Sequence, residues 1–156
     1  MQESFDPLDN LVFLSNRVAR LLVNAIQKEL DFDAWGVKAP HVGLLVDLWR
    51  KDGLRQQDLA ISVIKDKATI TRLLDHLESA ALIVRLPDEQ DKRSKRIFLT
   101  DQGKLMQARF WPKAEEVVRQ AVGGIDPAAF EGCKEVLRTI YNQLVQEQES
   151  GFIEKK

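Results

Sequence analysis

Apolar residues recur at three- and four-residue spacing through most of this chain, and the places where that rhythm breaks divide it into elements. Leu11, Leu14, Val18, Leu21, Leu22, Ala25 and Ile26 predict one amphipathic helix over about residues 8–30. A connector, Asp31–Lys38, follows and contains Gly36. Pro40 suits the first turn of a second helix, where its missing N–H has no partner to lose. The apolar run of that helix is Val42, Leu44, Leu45, Val46, Leu48 and Trp49, and Lys51-Asp52-Gly53 ends it. Gln56–Val63 is a short third helix. Asp66 caps a fourth, because its carboxylate can accept from the open amides of the first turn.

At residue 82 the rhythm changes. Leu82–Pro87 and Lys95–Leu99 read as two short strands around a charged, turn-forming tip. Thr100 or Asp101 then opens a fifth helix to about residue 122, with a kink expected at Pro112. Gly123-Gly124 stops it, and Asp126-Pro127 opens a sixth. One face of this last helix carries Phe130, Cys133, Leu137, Ile140, Tyr141, Leu144 and Val145. The expected fold class is mainly α with a small β-hairpin wing: a winged helix-turn-helix over 37–100, flanked by helices in 1–36 and 101–156. The apolar stripes of the flanking helices have little of a monomer left to cover. Packing on a second copy of the chain is their simplest use.

A helix followed by a basic hairpin suits DNA. In the fourth helix Ile70, Leu73, Leu74, Leu77 and Ala81 share one face. Ala68, Thr71, Arg72 and Asp75 occupy the other, with Lys67 and Thr69 at its margins. Small and hydroxyl side chains near the N-terminus allow close approach to base edges. An arginine there can donate twice to guanine, a contact worth roughly 1–3 kcal/mol of discrimination. At the hairpin tip Asp91, Lys92 and Arg93 precede Lys95 and Arg96. A flexible Arg93 suits a narrow, negatively charged minor groove, and Asp91 can hold it through a salt bridge. The bland alternatives are an ordinary Arg72–Asp75 surface pair and a solvated charged turn.

Charge supports the localisation more than the totals do. The 156 residues carry a net charge of −1. Lys65–Lys104 holds nine basic and seven acidic residues, so the rest of the chain is acidic. The lone cysteine, Cys133, excludes an intrachain disulfide. On an apolar stripe it reads as an inert small hydrophobe rather than an oxidant sensor. The N-terminus lacks the pattern of a secretory signal and no apolar run is long enough to span a membrane, so a soluble cytoplasmic protein is expected. His41 and His76 lie on different helices, and there is no nucleophile–base set, phosphate loop or metal-ligand spacing. Neither an enzyme nor a cofactor is expected.

Thr69–Glu78 resembles the recognition helix of the MarR (multiple antibiotic resistance regulator) family of bacterial transcription factors. Asp91–Thr100, followed by Gly103, resembles that family's wing and its Asp-x-Arg…Leu-Thr signature, and Leu54–Ala60 resembles the start of its third helix. The resemblance implies a homodimer that places two winged modules on a pseudo-palindromic operator in double-stranded DNA. By motif position Thr69, Thr71 and Arg72 would meet the major groove and Arg93 the minor groove, with Asp91 orienting it. Many such proteins are repressors released by a small aromatic or anionic effector; Trp35, His41, Trp49 and Trp111 are the candidates to line its site, though each also suits core or capping. The sequence departs from the family pattern at Lys38, Arg55, Ile64 and Ala81. A winged module that binds protein rather than DNA is the alternative function.

Overall fold

The computed structural model describes residue 6, residues 8–62 and residues 66–153. They form two compact units, Met1–Val118 and Arg119–Lys156. The order is α1 (Leu11–Leu30), a 3-10 turn (Phe32–Trp35), α2 (Ala39–Arg50), β1 (Leu54–Arg55), α3 (Gln56–Ser62), α4 (Lys67–Ser79), β2 (Ile83–Pro87), β3 (Lys95–Leu99), α5 (Asp101–Ala121) and α6 (Pro127–Ile153).

The helices start where side chains satisfy their free amides. Asn10 accepts from Val12 N at 3.0 Å to open α1. Asp66 accepts from Thr69 N at 2.9 Å and from the Thr69 hydroxyl at 2.7 Å to open α4. The Thr100 hydroxyl accepts from Gly103 N at 3.1 Å at the start of α5, which continues through Pro112. At α2 the cap position is Lys38, and the side chain of His41 reaches back to it. Its Nδ1 accepts from Lys38 N at 2.9 Å.

The core of the first unit is continuous from α1 to α5. Ile26, Phe32, Leu44, Leu45, Leu48, Leu59, Ile70, Leu74, Leu77, Ile97, Met106 and Phe110 are all buried. Burying each such side chain contributes about 1.5–3 kcal/mol before conformational entropy is charged against it. The expected inner face of α4 is thereby seen at Ile70, Leu74 and Leu77, with Leu73 partly buried. Ala81 is the exception: it is exposed and adopts φ +57°.

The wing belongs to a three-stranded antiparallel sheet in the order β1-β3-β2. Ile83 faces Leu99 and Pro87 faces Lys95, while Leu54 faces Ile97 and Arg55 faces Arg96. The sequence predicts β2 and β3 at these positions. It does not reveal β1, because two residues are too short to show alternation.

In the second unit, Asp126 accepts from Ala129 N at 3.2 Å to open α6. Val136, Leu137, Tyr141 and Leu144 are exposed along it. Cys133, on the same helix, is exposed too. In the first unit α1 likewise exposes Leu11, Phe13, Leu14, Val18 and Leu21. No helix among the described residues is long and apolar enough to cross a membrane.

Candidate nucleic-acid interface

The outer side of α4 presents the residues expected from the sequence. Lys67, Ala68 and Arg72 are exposed, and Thr69 and Thr71 are half-buried. Capping of α4 by Asp66 places these groups in its first two turns. The Thr69 hydroxyl and amide hold the Asp66 carboxyl below its usual range. Arg72 Nη2 donates to Thr69 Oγ1 at 3.3 Å, which leaves most of its guanidinium donors for a ligand. Thr71 is more committed. Its hydroxyl donates to Lys67 O at 2.9 Å and accepts from Gln56 Nε2 at 2.7 Å. One lone pair of Thr71 remains, so Gln56 at the start of α3 shares its outer surface.

The alternative Arg72–Asp75 surface pair does not form. Asp75 instead accepts from Arg85 on β2. Arg85 also donates to Glu78 Oε2 from Nε at 2.9 Å and from Nη2 at 2.6 Å, and its backbone N donates to Glu78 Oε1 at 3.2 Å. The Arg85 guanidinium lowers the Glu78 carboxyl and is itself shifted upward by Glu78 and Asp75. A two-pronged guanidinium–carboxylate contact fixes orientation as well as distance, so β2 is held in one position against α4.

At the tip, Asp91, Lys92 and Arg93 are exposed. The expected Asp91–Arg93 salt bridge is replaced by an Asx turn. Asp91 Oδ1 accepts from Arg93 N at 3.0 Å and Oδ2 accepts from Ser94 Oγ at 2.7 Å. The Ser94 hydroxyl and the Arg93 amide hold the Asp91 carboxyl low. Asp91 therefore shapes the backbone under Arg93 and leaves the guanidinium outside that contact. Two residues apart on a tight turn, the carboxylate reaches the amide more readily than the end of a long side chain.

Lys95 is exposed. Arg96 is not a free basic group. Its Nε donates to Asp88 Oδ2 at 2.8 Å and its Nη1 to Gly53 O at 2.9 Å. Arg55 donates to the same Asp88 oxygen at 2.9 Å, and the Asp88 side chain is only 1% exposed. The backbone amide of Gln90, then Arg55 and Arg96, pull the Asp88 carboxyl down to about 2. Arg55, Gln56, Arg85 and Asp88 were not singled out as site residues by the sequence. Contacts across 33 positions leave no periodic trace.

The aromatic candidates fall in two places. Trp49 is buried, donates from Nε1 to Gly103 O at 3.3 Å, and packs on Phe110 at 4.8 Å between ring centres. Trp111 lies edge-on to Trp49 at 5.9 Å and is exposed. Trp35 is half-buried under the Arg109 guanidinium, 5.5 Å from its ring centre. His41 stacks on His76 at 4.5 Å, although the sequence placed the two on separate helices with no sign of contact. His76 Nε2 donates to Gly36 O at 2.6 Å. Burial, and then the proximity of His76, lower the pKa of His41. The pair ties α4 to the start of α2. One ring nitrogen of each is engaged with the backbone, His41 Nδ1 as acceptor and His76 Nε2 as donor, and no third titratable group joins them in a metal-binding cluster among the described residues.

A helix and a wing held in one frame, with arginines at both ends, find their counterpart among known proteins. The MarR family model matches residues 37–95. YybA, an uncharacterized HTH-type transcriptional regulator of Bacillus subtilis (strain 168), is 28% identical over 105 residues, covering 67% of this chain and 70% of the relative. A MarR-family regulator from Listeria monocytogenes, solved with a 26mer DNA, has a TM-score of 0.78 at 20% identity, covering 88% of this chain and 91% of that one. CouR from Rhodococcus jostii RHA1, solved with p-coumaroyl-CoA, has a TM-score of 0.72 at 24% identity, covering 88% of this chain and 96% of that one. Identities this low carry the fold rather than the ligand. The residues that match, the order of elements and the geometry of helix and wing agree: residues 37–95 are a MarR-family domain, in a chain with the fold of MarR-family transcriptional regulators.

Proposed function

We propose that this regulator reads a specific, pseudo-palindromic operator as a homodimer, and that it is a cytoplasmic repressor released by a small effector. One observation carries the reading: Arg85 bonds β2 to α4, so Arg72 on the helix and Arg93 on the wing are presented from a single rigid frame. In this reading 37–100 is the DNA-binding module. Lys67, Ala68, Thr69, Thr71 and Arg72 meet the major groove, Arg93 enters the minor groove, and Asp91 shapes the turn beneath it. Lys95 adds a phosphate contact, while Arg96 serves chiefly to hold the wing. The Listeria neighbour solved with DNA supports the docking mode.

The segments 1–36 and 101–156 supply the dimer. The exposed apolar residues of α1 and of α6 support this, because large contiguous apolar surfaces are rare on monomers. For the effector, CouR's acyl-CoA ligand supports an aromatic, anionic molecule. Trp49 and Trp111 offer ring faces, and Trp35 sits beside the cationic Arg109. His41 is committed to capping α2 and would act on an effector only through that helix.

The test is selection of bound duplexes from random DNA at moderate salt, followed by titration of Arg72→Ala and Arg93→Ala. An inverted repeat should be recovered. Each variant should weaken binding about tenfold, as expected for loss of one specific arginine contact. Undiminished binding by the double variant would refute the assignment. The net charge of −1 favours a second reading, a winged module that binds protein. Absence of any enriched duplex would select it.

A further inference from the structure

The geometry points to Arg55 and Asp88 as positioning residues that latch the wing to the start of α3 and so set the distance from Arg93 to the reading helix. This rests on the DNA-reading function proposed above. Arg55 on β1 lies directly across from Arg96 on β3. Like charges facing each other across a ladder are destabilising, so the pairing needs a counter-charge. Asp88 provides it. Both guanidiniums donate from Nε to the same Asp88 oxygen, at 2.9 and 2.8 Å.

The other carboxylate oxygen faces the wing tip. Asp88 Oδ1 accepts from Gln90 N at 2.9 Å and Asp91 N at 3.4 Å. The tip backbone is then continued by the Asp91–Arg93 turn. On the opposite side, Arg55 N donates to Asp58 Oδ2 at 3.3 Å in the first turn of α3, and neighbouring Gln56 bonds Thr71 of α4. A chain of polar contacts therefore runs from beneath Arg93 through Asp88 and Arg55 to the outer face of α4. Arg55 stands where the sequence departs from its family, so the latch is built into this chain's own residues. Loss of Arg55 would leave Arg96 to hold Asp88 and would remove the side-chain link from β1 to the wing tip, while the β1–β3 ladder remains.

The latch and a direct phosphate contact predict opposite signs for Asp88→Asn. The substitution makes the protein more cationic, so simple electrostatics calls for tighter DNA binding. Release of the wing calls for weaker binding. The experiment measures operator affinity for wild type, Arg55→Ala, Asp88→Asn, Arg93→Ala and the Arg55→Ala, Arg93→Ala double variant, with amide exchange across the wing tip recorded for each free protein. We expect Asp88→Asn to weaken binding about tenfold, and Arg93→Ala to lose most of its effect in the Arg55→Ala background, because residues of one network are non-additive. Exchange at Gln90–Ser94 should rise about tenfold in both latch variants, the signature of local opening. Tighter binding by Asp88→Asn, additive Arg55 and Arg93 losses, or unchanged exchange would each overturn the latch. If wild type bound no duplex, the DNA-reading function would fall, and the exchange measurement would still decide whether Arg55 and Asp88 hold the wing.

Discussion

Gly103→Ala tests how tightly the wing is joined to α5. A Cβ built at Gly103 would lie 2.2 Å from Leu82 O and 3.1 Å from Leu99 Cδ2. Carbon contacts ordinarily settle near 3.5–4.0 Å, so an opening on the order of 1 Å is required. The Leu82 carbonyl cannot swing away freely, because it accepts from Thr100 N at 3.1 Å while Leu82 N donates to Leu77 O at 3.0 Å. Outward movement of α5 instead would stretch the Trp49 Nε1 bond to Gly103 O, already 3.3 Å, and disturb buried Met106 and Phe110. Overpacking costs about 1–3 kcal/mol, and the backbone clash argues for the upper end. Alanine's better helix propensity returns about 1 kcal/mol. A net loss of about 2 kcal/mol follows, equivalent to a fall in Tm of about 4–8 °C for a chain of this size. Urea unfolding followed by Trp fluorescence and far-UV circular dichroism, at fixed protein concentration, measures it. Gly132→Ala is the control, since no atom lies within 4 Å of its Cβ position. It should gain up to about 1 kcal/mol from the same helix propensity. Equal responses at both glycines, or a Gly103→Ala protein as stable as wild type, would refute the steric argument.

Two further outcomes follow from local geometry. Ala81→Gly should stabilise the protein by about 1 kcal/mol, because Ala81 holds φ +57° with a Cβ that disfavours it; a destabilised variant in thermal melts would contradict this. His41 has its pKa lowered by burial and by His76, so the folded protein binds fewer protons than the unfolded chain just below pH 6.5. Stability should therefore be full above that pH and fall as pH drops through the interval down to the folded pKa. The charged or titratable neighbours that lower it are His76 and Lys38. Melting curves from pH 8 to pH 5 should show a smaller acid loss for His41→Gln than for wild type, and identical slopes would remove His41 from the explanation.

The sequence by itself determined the helices, the two wing strands and their order. Periodicity located α1, α2, α4 and α6 because each buries or presents one stripe, and such a stripe must repeat with the turn of its helix. Asp66, Pro40 and Asp126-Pro127 marked helix starts because capping is a local event, complete within a few residues. The wing was legible because two alternating segments flank a run that can only turn. The outer residues of α4 were legible for the same reason as its inner ones.

Only the tertiary structure decided which polar groups meet. Arg85 takes Asp75 from Arg72, Gln56 occupies the Thr71 hydroxyl, and Asp88 gathers Arg55 and Arg96. These contacts join residues 8 to 33 positions apart, where no spacing rule applies. His41 and His76 meet because α2 and α4 pack on a shared core, which a helical pattern cannot express. The two-residue β1 exists only through its partner β3. Local chemistry fixes where a helix begins and which face it buries, and packing then chooses the partner of every long, charged side chain left over.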